Sequence, residues 1–397
     1  MAELTGHREG DRPPAAGRWP DPPPGGAADI GAPLHGIRVL DFSAFLPGPF
    51  ASLVLAEAGA DVVRIEPPGS GDPLRSLEPL LGPGRVGAMY AMLNRGKRVL
   101  AADMADPGDR ASVLRLASAA DVVIVQERPG AAERRGLGHA RLSRSNPGLV
   151  HCAITGYGSS GPHAERAGYD LAFMADSGLL GAALSPAGVP VLPATSVADI
   201  AGGTYPALIN ILLALHRRER TGRGSALEIS MTHNLQALGY RHFVRRQAHG
   251  SWPDPREDFL GGGSARYHLY PTAEGRFVAV YALHDRSWER LVTVLGLTPD
   301  ATGDGNGRDA VGLLTDVFLR HPVTHWRDVF AATGVKATVV SHFGEAEQSG
   351  LIDTDSADRV RCGDDEVGTL PSIVAPCLRR PPGTLDCPDL ADLDQGV

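Results

Sequence analysis

Cysteine is scarce in this chain of 397 residues. There are four, and no two of them form a CxxC pair: Cys152, Cys362, Cys377 and Cys387. This usage argues against a disulfide-stapled secreted domain and against a structural zinc site. It predicts a protein of a reducing compartment, the cytoplasm, that needs no metal.

A basic field and long apolar runs are also missing. Lys and Arg number 38 against 46 Asp and Glu, which gives a net charge of −8, so nothing in the overall charge attracts nucleic acid or an anionic membrane surface. No run reaches the roughly 18 apolar residues of a membrane span, and the first 30 residues lack the apolar core of a signal peptide. We expect neither nucleic-acid nor membrane partners.

Several catalytic signatures are absent: the GxSxG elbow, the HExxH zinc motif and the Walker loop. The segment Gly156–Gly161 does match the dinucleotide pattern GxGxxG and follows a predicted strand. A true fingerprint opens a helix at its third glycine, so that the helix N-terminus meets the pyrophosphate. Here Pro162 and His163 follow instead, so we do not predict a nicotinamide or flavin site.

Alternating strands and helices are what the first half of the chain does contain. The stretches GIRVLDFS, ADVVRIE, RVLAADM, DVVIVQ and LVHCAIT are typical of buried strands, and FASLVLAEAGA and RASVLRLASAA have helical periodicity. Such alternation predicts an α/β fold with a parallel sheet, which binds ligands at the carboxyl ends of its strands.

The composition suggests five segments. Residues 1–32 are rich in Pro, Gly and Ala and predict a disordered leader. Residues 33–200 predict the large domain, 201–249 a helical linker, and 250–345 a smaller α+β domain with a hairpin turn near Ala273–Gly275. Residues 346–397 predict a return segment packed on the large domain.

Basic residues recur at or just beyond the predicted strand ends of the large domain. Any one of them could be an ordinary solvated charge, but guanidinium groups at such an edge also bind phosphate. The pattern leaves open a polyphosphate ligand held by some of Arg64, Arg75, Arg95, Lys97, Arg98, Arg128 and Arg134.

Asp199 precedes a long apolar helix in the stretch TSVADIAGGTYPAL. A simple N-cap is one interpretation. The other is a nucleophile whose pKa is lowered by the helix N-terminus, so that it stays ionised. Similarly, Gly261, Gly262 and Gly263 could form a hairpin connection or a mobile flap whose N–H groups approach a reacting carbonyl.

Spaced blocks of this sequence together resemble the class III CoA-transferases of the CaiB/BaiF type, a family that also contains α-methylacyl-CoA racemases. The similarity runs from about residue 34 to 345 and is carried by LHGIRVLDFSAFLPGPFASLVLAEAGADVVRIEPPGSGDPLR, LNRGKRVLAADM, ERPGAAERRGLG, NPGLVHCAITGYGSSGPHAERAGYDL, ADIAGG, LLALHRRERTGRG and GGGSARYHLYPTAEGRFVAV.

The resemblance implies a Rossmann-like large domain, a smaller domain, and two chains interlocked as a homodimer with shared active sites. It implies coenzyme A as substrate and carrier, with contacts from Arg128 and Arg134; Arg64, Arg75, Lys97 and Arg98 are weaker candidates. By the same resemblance, Asp199 is the catalytic aspartate and Gly261 to Gly263 are the glycine flap, with Gly262 and Gly263 as its catalytic part.

Two chemistries occur in the family, and this sequence departs from one of them. The resemblance places Tyr169-Asp170 where the racemases have His-Asp, and His284 where they have Glu. Inversion at an α-carbon needs two bases, and a phenol with a reference pKa of about 10 is a poor one. His268 or His284 could replace a base. The segment TGVKATVV departs from the family pattern and leaves the acid's identity open.

We therefore expect a CoA-transferase that moves CoA from an acyl-CoA to a carboxylic acid through a thioester on Asp199. An acyl-CoA racemase is the alternative within the family. A CoA-binding protein that catalyses no reaction is the alternative from another functional class.

Overall fold

The computed structural model describes Trp19 and residues 31–185, 188–306, 308–352, 358–369, 371–389 and 391–392. The chain divides into two compact units. The large unit comprises residues 1–174, 195–235 and 354–397, and the small unit comprises residues 175–194 and 236–353.

A seven-stranded parallel sheet organises the large unit. Its strands lie in the spatial order Ala391–Asp392, Arg98–Ala101, Asp61–Glu66, Arg38–Asp41, Val122–Gln126, Val150–Thr155 and Ser225–Ser230. Every neighbouring pair is parallel. Six of the strands have four residues or more and the seventh has two. The predicted α/β class with a parallel sheet is confirmed.

The central strands are apolar because both faces of the sheet are covered. Val39, Leu40, Val63, Val123 and Ile124 are fully buried, as expected for strands with helices on both sides. The helices that begin in the large unit are Pro47–Glu57, Ala88–Asn94, Pro107–Ala119, Ala131–Arg135, His139–Ser145, Asp170–Asp176, the π-helix Ala198–Thr204, Tyr205–Thr221 and Met231–Leu238, with 3₁₀ turns at Pro73–Ser76 and Pro376–Leu378.

The predicted helical pattern of residues 201–249 is interrupted by a strand. The helix Tyr205–Thr221 ends where Gly222 adopts φ +67°, a conformation that glycine tolerates. Ser225–Ser230 then pairs with Val150–Thr155 at the edge of the sheet. The prediction of a purely helical linker is wrong here, because a six-residue edge strand directly after a helix leaves little periodicity to detect.

Within the large unit, buried ion pairs hold the C-terminal segment. Arg95 binds Glu57 and Asp358, and Asp358 also accepts a hydrogen bond from Arg380 at 2.9 Å. Nearby strands form a three-stranded sheet in the order Asp365–Gly368, Arg359–Cys362 and Thr384–Asp386. A separate two-stranded hairpin pairs Leu80–Leu81 with Val86–Gly87.

Trp19, within the predicted disordered leader, is buried against the large unit. Its side chain is 7% exposed, its indole N–H donates to Asp61 Oδ2 at 2.6 Å, and the Arg38 guanidinium lies 5.7 Å from its ring centre. The remainder of the predicted leader up to residue 30 lies outside the described residues.

The small unit contains a three-stranded antiparallel sheet of Tyr267–Pro271, Phe277–Tyr281 and Ala337–Val339. The predicted hairpin turn is confirmed, with Gly275 at φ +79°. Its core includes Tyr270, Leu291 and Phe318. Its helices are Leu179–Ala182, Tyr240–His249, Asp285–Val294, Pro299–Thr302, Arg308–Phe318, Val323–Thr333 and Phe343–Gln348, with 3₁₀ turns at Pro255–Glu257 and Phe259–Gly261.

Candidate active site

Asp199 is the second residue of the π-helical segment Ala198–Thr204, which continues into the helix Tyr205–Thr221. A Cβ on Gly202 would lie 2.6 Å from Met231 O, so this turn is packed too closely for a side chain. The buried Thr204 hydroxyl donates to Pro47 O at 2.9 Å. Short π-helical segments occur frequently at functional sites, and here one carries the candidate nucleophile.

A second carboxylate, Asp170, lies against Asp199. The backbone N–H of Asp199 donates to Asp170 Oδ1 at 3.0 Å. Burial, and after it the negative charge of Asp170, raises the pKa of Asp199 to about 6. Our expectation of a lowered pKa is therefore wrong. Val197 occupies the N-cap position, so Asp199 is not the cap, and burial together with the Asp170 charge shifts its pKa upward.

Tyr169 and Asp170 begin a short helix. Asp170 is the first residue of Asp170–Asp176, and the preceding Tyr169 side chain is 76% exposed. The Tyr169 ring packs edge-on against Phe45 with ring centres 6.1 Å apart. Phe45 is a residue that sequence reasoning missed, since no motif marked it.

Arg128 and Arg134 lie beyond the carboxyl end of a central strand of the large unit. Arg128 follows the carboxyl end of the strand Val122–Gln126, and Arg134 lies on the helix Ala131–Arg135. Both side chains are exposed, and neither has an ion-pair partner in the part of the chain that the structure describes. Gly130 turns the chain between them at φ +77°. Two free guanidinium groups at a strand end suit a phosphate ligand.

Arg64 is not available for such a contact. Its side chain is 1% exposed and forms ion pairs with Asp72, with Glu66 at 2.8 Å and with Asp41 at 3.7 Å. It lies in the middle of the strand Asp61–Glu66 rather than at its end. The hypothesis that Arg64 binds phosphate is wrong, because three carboxylates already neutralise it inside the unit.

Lys97 is likewise enclosed. Its Nζ donates to Pro49 O at 2.7 Å and to Asn94 Oδ1 at 2.9 Å, and burial lowers the pKa of Lys97 well below its ordinary value. A buried amine engaged by two oxygens cannot reach a phosphate. The prediction for Lys97 is therefore wrong.

The other two weaker candidates, Arg75 and Arg98, are also engaged by carboxylates. Arg75 Nε donates to Glu66 Oε2 at 2.7 Å, and its guanidinium lies 4.0 Å from the Tyr90 ring centre. Arg98 pairs with Asp61. Neither side chain is exposed, so both are weaker candidates than Arg128 and Arg134.

The glycine segment belongs to the small unit and forms a hydrogen-bonded turn there. The N–H groups of Gly261 and Gly263 donate to Asp258 O at 2.8 and 3.0 Å. Gly262 has φ +95°, where a side chain would be strained, and its carbonyl lies 2.6 Å from His268 Nδ1. In the same unit, His284 is exposed at the N-cap of Asp285–Val294.

The GxGxxG segment opens no helix. Residues 156–168 form a loop, and the next helix begins at Asp170. Glu228 holds this loop by accepting a hydrogen bond from the Ser159 hydroxyl at 2.7 Å. The rejection of a dinucleotide site is consistent with this geometry.

One helical stretch among the described residues, Ala198–Thr221, is long and apolar enough to cross a membrane when judged by length and composition alone. Half of its apolar window is buried in the protein, as in a core helix, and this is weak evidence for a span.

A solved CaiB/BaiF family protein from Brucella suis has a similar fold. That structure matches with a TM-score of 0.75 at 27% identity, covering 88% of this chain and 96% of that one. The sequence profile of CoA-transferase family III matches residues 34–377. The chain belongs to CoA-transferase family III.

Relatives of both chemistries are similar to this chain. Human α-methylacyl-CoA racemase is 33% identical over 79% of this chain and 78% of its own length. The succinyl-CoA–D-citramalate CoA-transferase of Chloroflexus aurantiacus is 34% identical over 68% of this chain and 66% of its own length. Membership therefore identifies an enzyme family that acts on coenzyme A thioesters, and both CoA transfer and racemisation are compatible with it.

Proposed function

We propose that this protein transfers coenzyme A from an acyl-CoA donor to a carboxylic acid, with Asp199 as the covalent nucleophile. The observation that carries the proposal is the composition of the site around Asp199. A carboxylate with its pKa raised to about 6 lies beside Asp170, and the residue that precedes Asp170 in the chain is the phenol Tyr169. This set contains a good nucleophile and lacks the imidazole that α-proton removal would use.

In the first half of the reaction, an Asp199 oxygen attacks the donor thioester carbonyl. The C–S bond breaks, CoA leaves as the thiolate, and a mixed anhydride remains on Asp199. The thiolate then attacks the aspartyl carbonyl, which releases the donor acid as a carboxylate and leaves an aspartyl-CoA thioester. Covalent catalysis divides one difficult exchange into easier steps.

In the second half, the acceptor carboxylate attacks the aspartyl thioester and expels the CoA thiolate. The thiolate attacks the acceptor's carbonyl in the new anhydride. The product acyl-CoA leaves, and Asp199 returns as a free carboxylate. Protons and electrons balance without a further reactant.

The raised pKa suits this role. At neutral pH a carboxyl with a pKa of about 6 is mostly ionised, and its greater basicity makes it a better nucleophile than an ordinary aspartate. The charge of Asp170 adds to this basicity, and its hydrogen bond fixes the Asp199 backbone.

Other parts of the proposal involve the two exposed arginines, the glycine turn and a second chain. Arg128 and Arg134 bind the phosphates of CoA. By the family resemblance, Gly262 and Gly263 are the flap residues that exclude water during transfer. The protein is a homodimer, because the family resemblance implies active sites shared between two chains. The cytoplasm is its compartment, as the cysteine usage predicts.

Racemisation at the α-carbon is the second candidate. The observation that favours it is the same pKa of about 6 for Asp199, which also suits a general acid or base at neutral pH. By the family resemblance, His284 stands where the racemases have Glu and would be the second base in this interpretation. Binding of CoA without turnover is the remaining alternative, and the half-buried Asp199, whose pKa is raised by burial and by Asp170, is an argument against it.

A mass-spectrometric screen of acyl-CoA donors against carboxylic acids tests the proposal. The wild type should form new CoA thioesters, and Asp199→Asn should form none, since an amide is a very poor nucleophile. Asp328→Asn, at an exposed position of the helix Val323–Thr333, is the matched control and should retain full transfer. Absence of any new thioester across the screen contradicts the proposal.

A further inference from the structure

Phe45 has an unusual backbone conformation for its residue type. It has φ +60°, and within the described residues only Arg85 shares such a value among non-glycine residues. This left-handed region is strained for a bulky side chain, and such strain persists only where surrounding structure enforces it. Despite its apolar ring, the Phe45 side chain is 37% exposed.

Buried charges enforce this conformation. The N–H of Phe45 donates to Asp72 Oδ2 at 3.1 Å. Asp72 is fully enclosed, binds Arg64 and also accepts the N–H of Leu74 at 2.7 Å. On the other side of Phe45, the N–H of Ser43 donates to Asp41 Oδ1 at 2.8 Å. An ion cluster inside the large unit therefore fixes a loop whose aromatic ring points outward.

The ring of Phe45 is continuous with the candidate site. It packs edge-on against Tyr169 at an interplanar angle of 84°, and Tyr169 precedes Asp170, which accepts the N–H of Asp199. Both rings are exposed enough to offer apolar surface to a ligand. In the part of the chain that the structure describes, no Arg or Lys lies over either ring.

We propose that Phe45 and Tyr169 form an apolar wall that selects acyl groups bearing an aromatic or branched apolar substituent over those bearing a second carboxylate. The proposal rests on the proposed function, because it names the substrate class of the same site. Apolar contact with two rings favours such a substituent. A second carboxylate would need a cation to replace its lost hydration.

Calorimetric binding of phenylacetyl-CoA and succinyl-CoA tests this selectivity. Measuring both in the Asp199→Asn background prevents any covalent step. The unmodified wall should bind phenylacetyl-CoA about tenfold more tightly than succinyl-CoA, the discrimination expected of one well-placed apolar group. Adding Phe45→Asn should remove most of this preference, since asparagine tolerates left-handed φ and lacks the ring. Adding Phe343→Ala, at an 85% exposed phenylalanine of the small unit, should not.

Equal or reversed affinities with the wall intact would overturn the inference, as would an equal loss for both thioesters in Phe45→Asn. If Phe45→Asn does not fold, Tyr169→Ala serves instead, because that side chain is mostly solvent-exposed and should be removable without unfolding. The readout needs no turnover. Selective binding without CoA transfer by the wild type would therefore contradict the proposed function and support the apolar wall. Transfer without selective binding would support the proposed function and contradict the apolar wall.

Discussion

Replacing Asp170 by Asn separates the effect of the Asp170 charge on Asp199 from the effect of its hydrogen bond. The amide oxygen of Asn can still accept the N–H of Asp199, now 3.0 Å from Asp170 Oδ1, so the geometry is kept and the charge is removed. The pKa of Asp199 is about 6 against an ordinary value of 3.8. Together, burial and the Asp170 charge thus favour the protonated form by about 3 kcal/mol.

Burial is the larger of these two causes, so the charge of Asp170 accounts for less than half of the effect. Removing that charge should lower the pKa of Asp199 by up to about one pH unit. Because the ionised carboxylate is the nucleophile, transfer by the wild type should fall as pH drops through about 6. In Asp170→Asn the same fall should occur at lower pH.

The assay is the pH dependence of kcat for acyl exchange between about pH 4.5 and 9, a range that spans the expected pKa of Asp199. The acid limb should move down in Asp170→Asn and stay in place in the control Asp328→Asn. A limb that does not move, or that moves to higher pH, would refute the reasoning that Asp170 tunes Asp199.

Three further predictions concern stability, coenzyme binding and assembly. Asp199→Asn should raise Tm relative to wild type at about pH 7.5 and lose this advantage near pH 4. The folded pKa of Asp199 is raised, so the stability that Asp199 contributes is present below the unfolded pKa of about 3.9 and is lost as pH rises through about 6. The same Tm difference between variant and wild type at both pH values would contradict this. Arg128→Ala should weaken CoA binding at least several-fold by calorimetry, since a charge-assisted contact contributes roughly 1.5–3 kcal/mol, whereas the exposed Arg110→Ala should not; unchanged affinity removes Arg128 from the site. Light scattering should give about twice the 41.7 kDa chain mass, and an active monomer would exclude the proposed homodimer.

Runs of apolar residues in the sequence predicted those strands of the large unit that are buried on both faces. The apolar stretches that became Arg38–Asp41, Asp61–Glu66 and Val122–Gln126 were recognisable as parallel strands, because both faces of such strands must be apolar. The edge strand Ser225–Ser230 was not, since its half-exposed residues follow a helix without a clear change of period. The family resemblance was confirmed by a match over residues 34–377.

Features of the site that depend on distant partners could not be read from the sequence. Arg64 was predicted at the surface, but Asp41 and Asp72 bring enough negative charge to bury it. The pKa of Asp199 depends on Asp170, which is 29 residues away in the chain. The outward ring of Phe45 depends on Asp72, 27 residues away. Sequence periodicity reports none of these pairings.

Transfer at the carbonyl, rather than inversion at the α-carbon, is the central claim, and one incubation tests it most directly. A 2-methylacyl-CoA is mixed with the protein in deuterated water that contains hydroxylamine. Transfer predicts that the α-hydrogen stays in place and that hydroxylamine modifies Asp199, detectable in the peptide containing ADIAGG. Rapid deuterium incorporation at the α-carbon without an Asp199 adduct would contradict the account and assign Asp199 to acid–base chemistry.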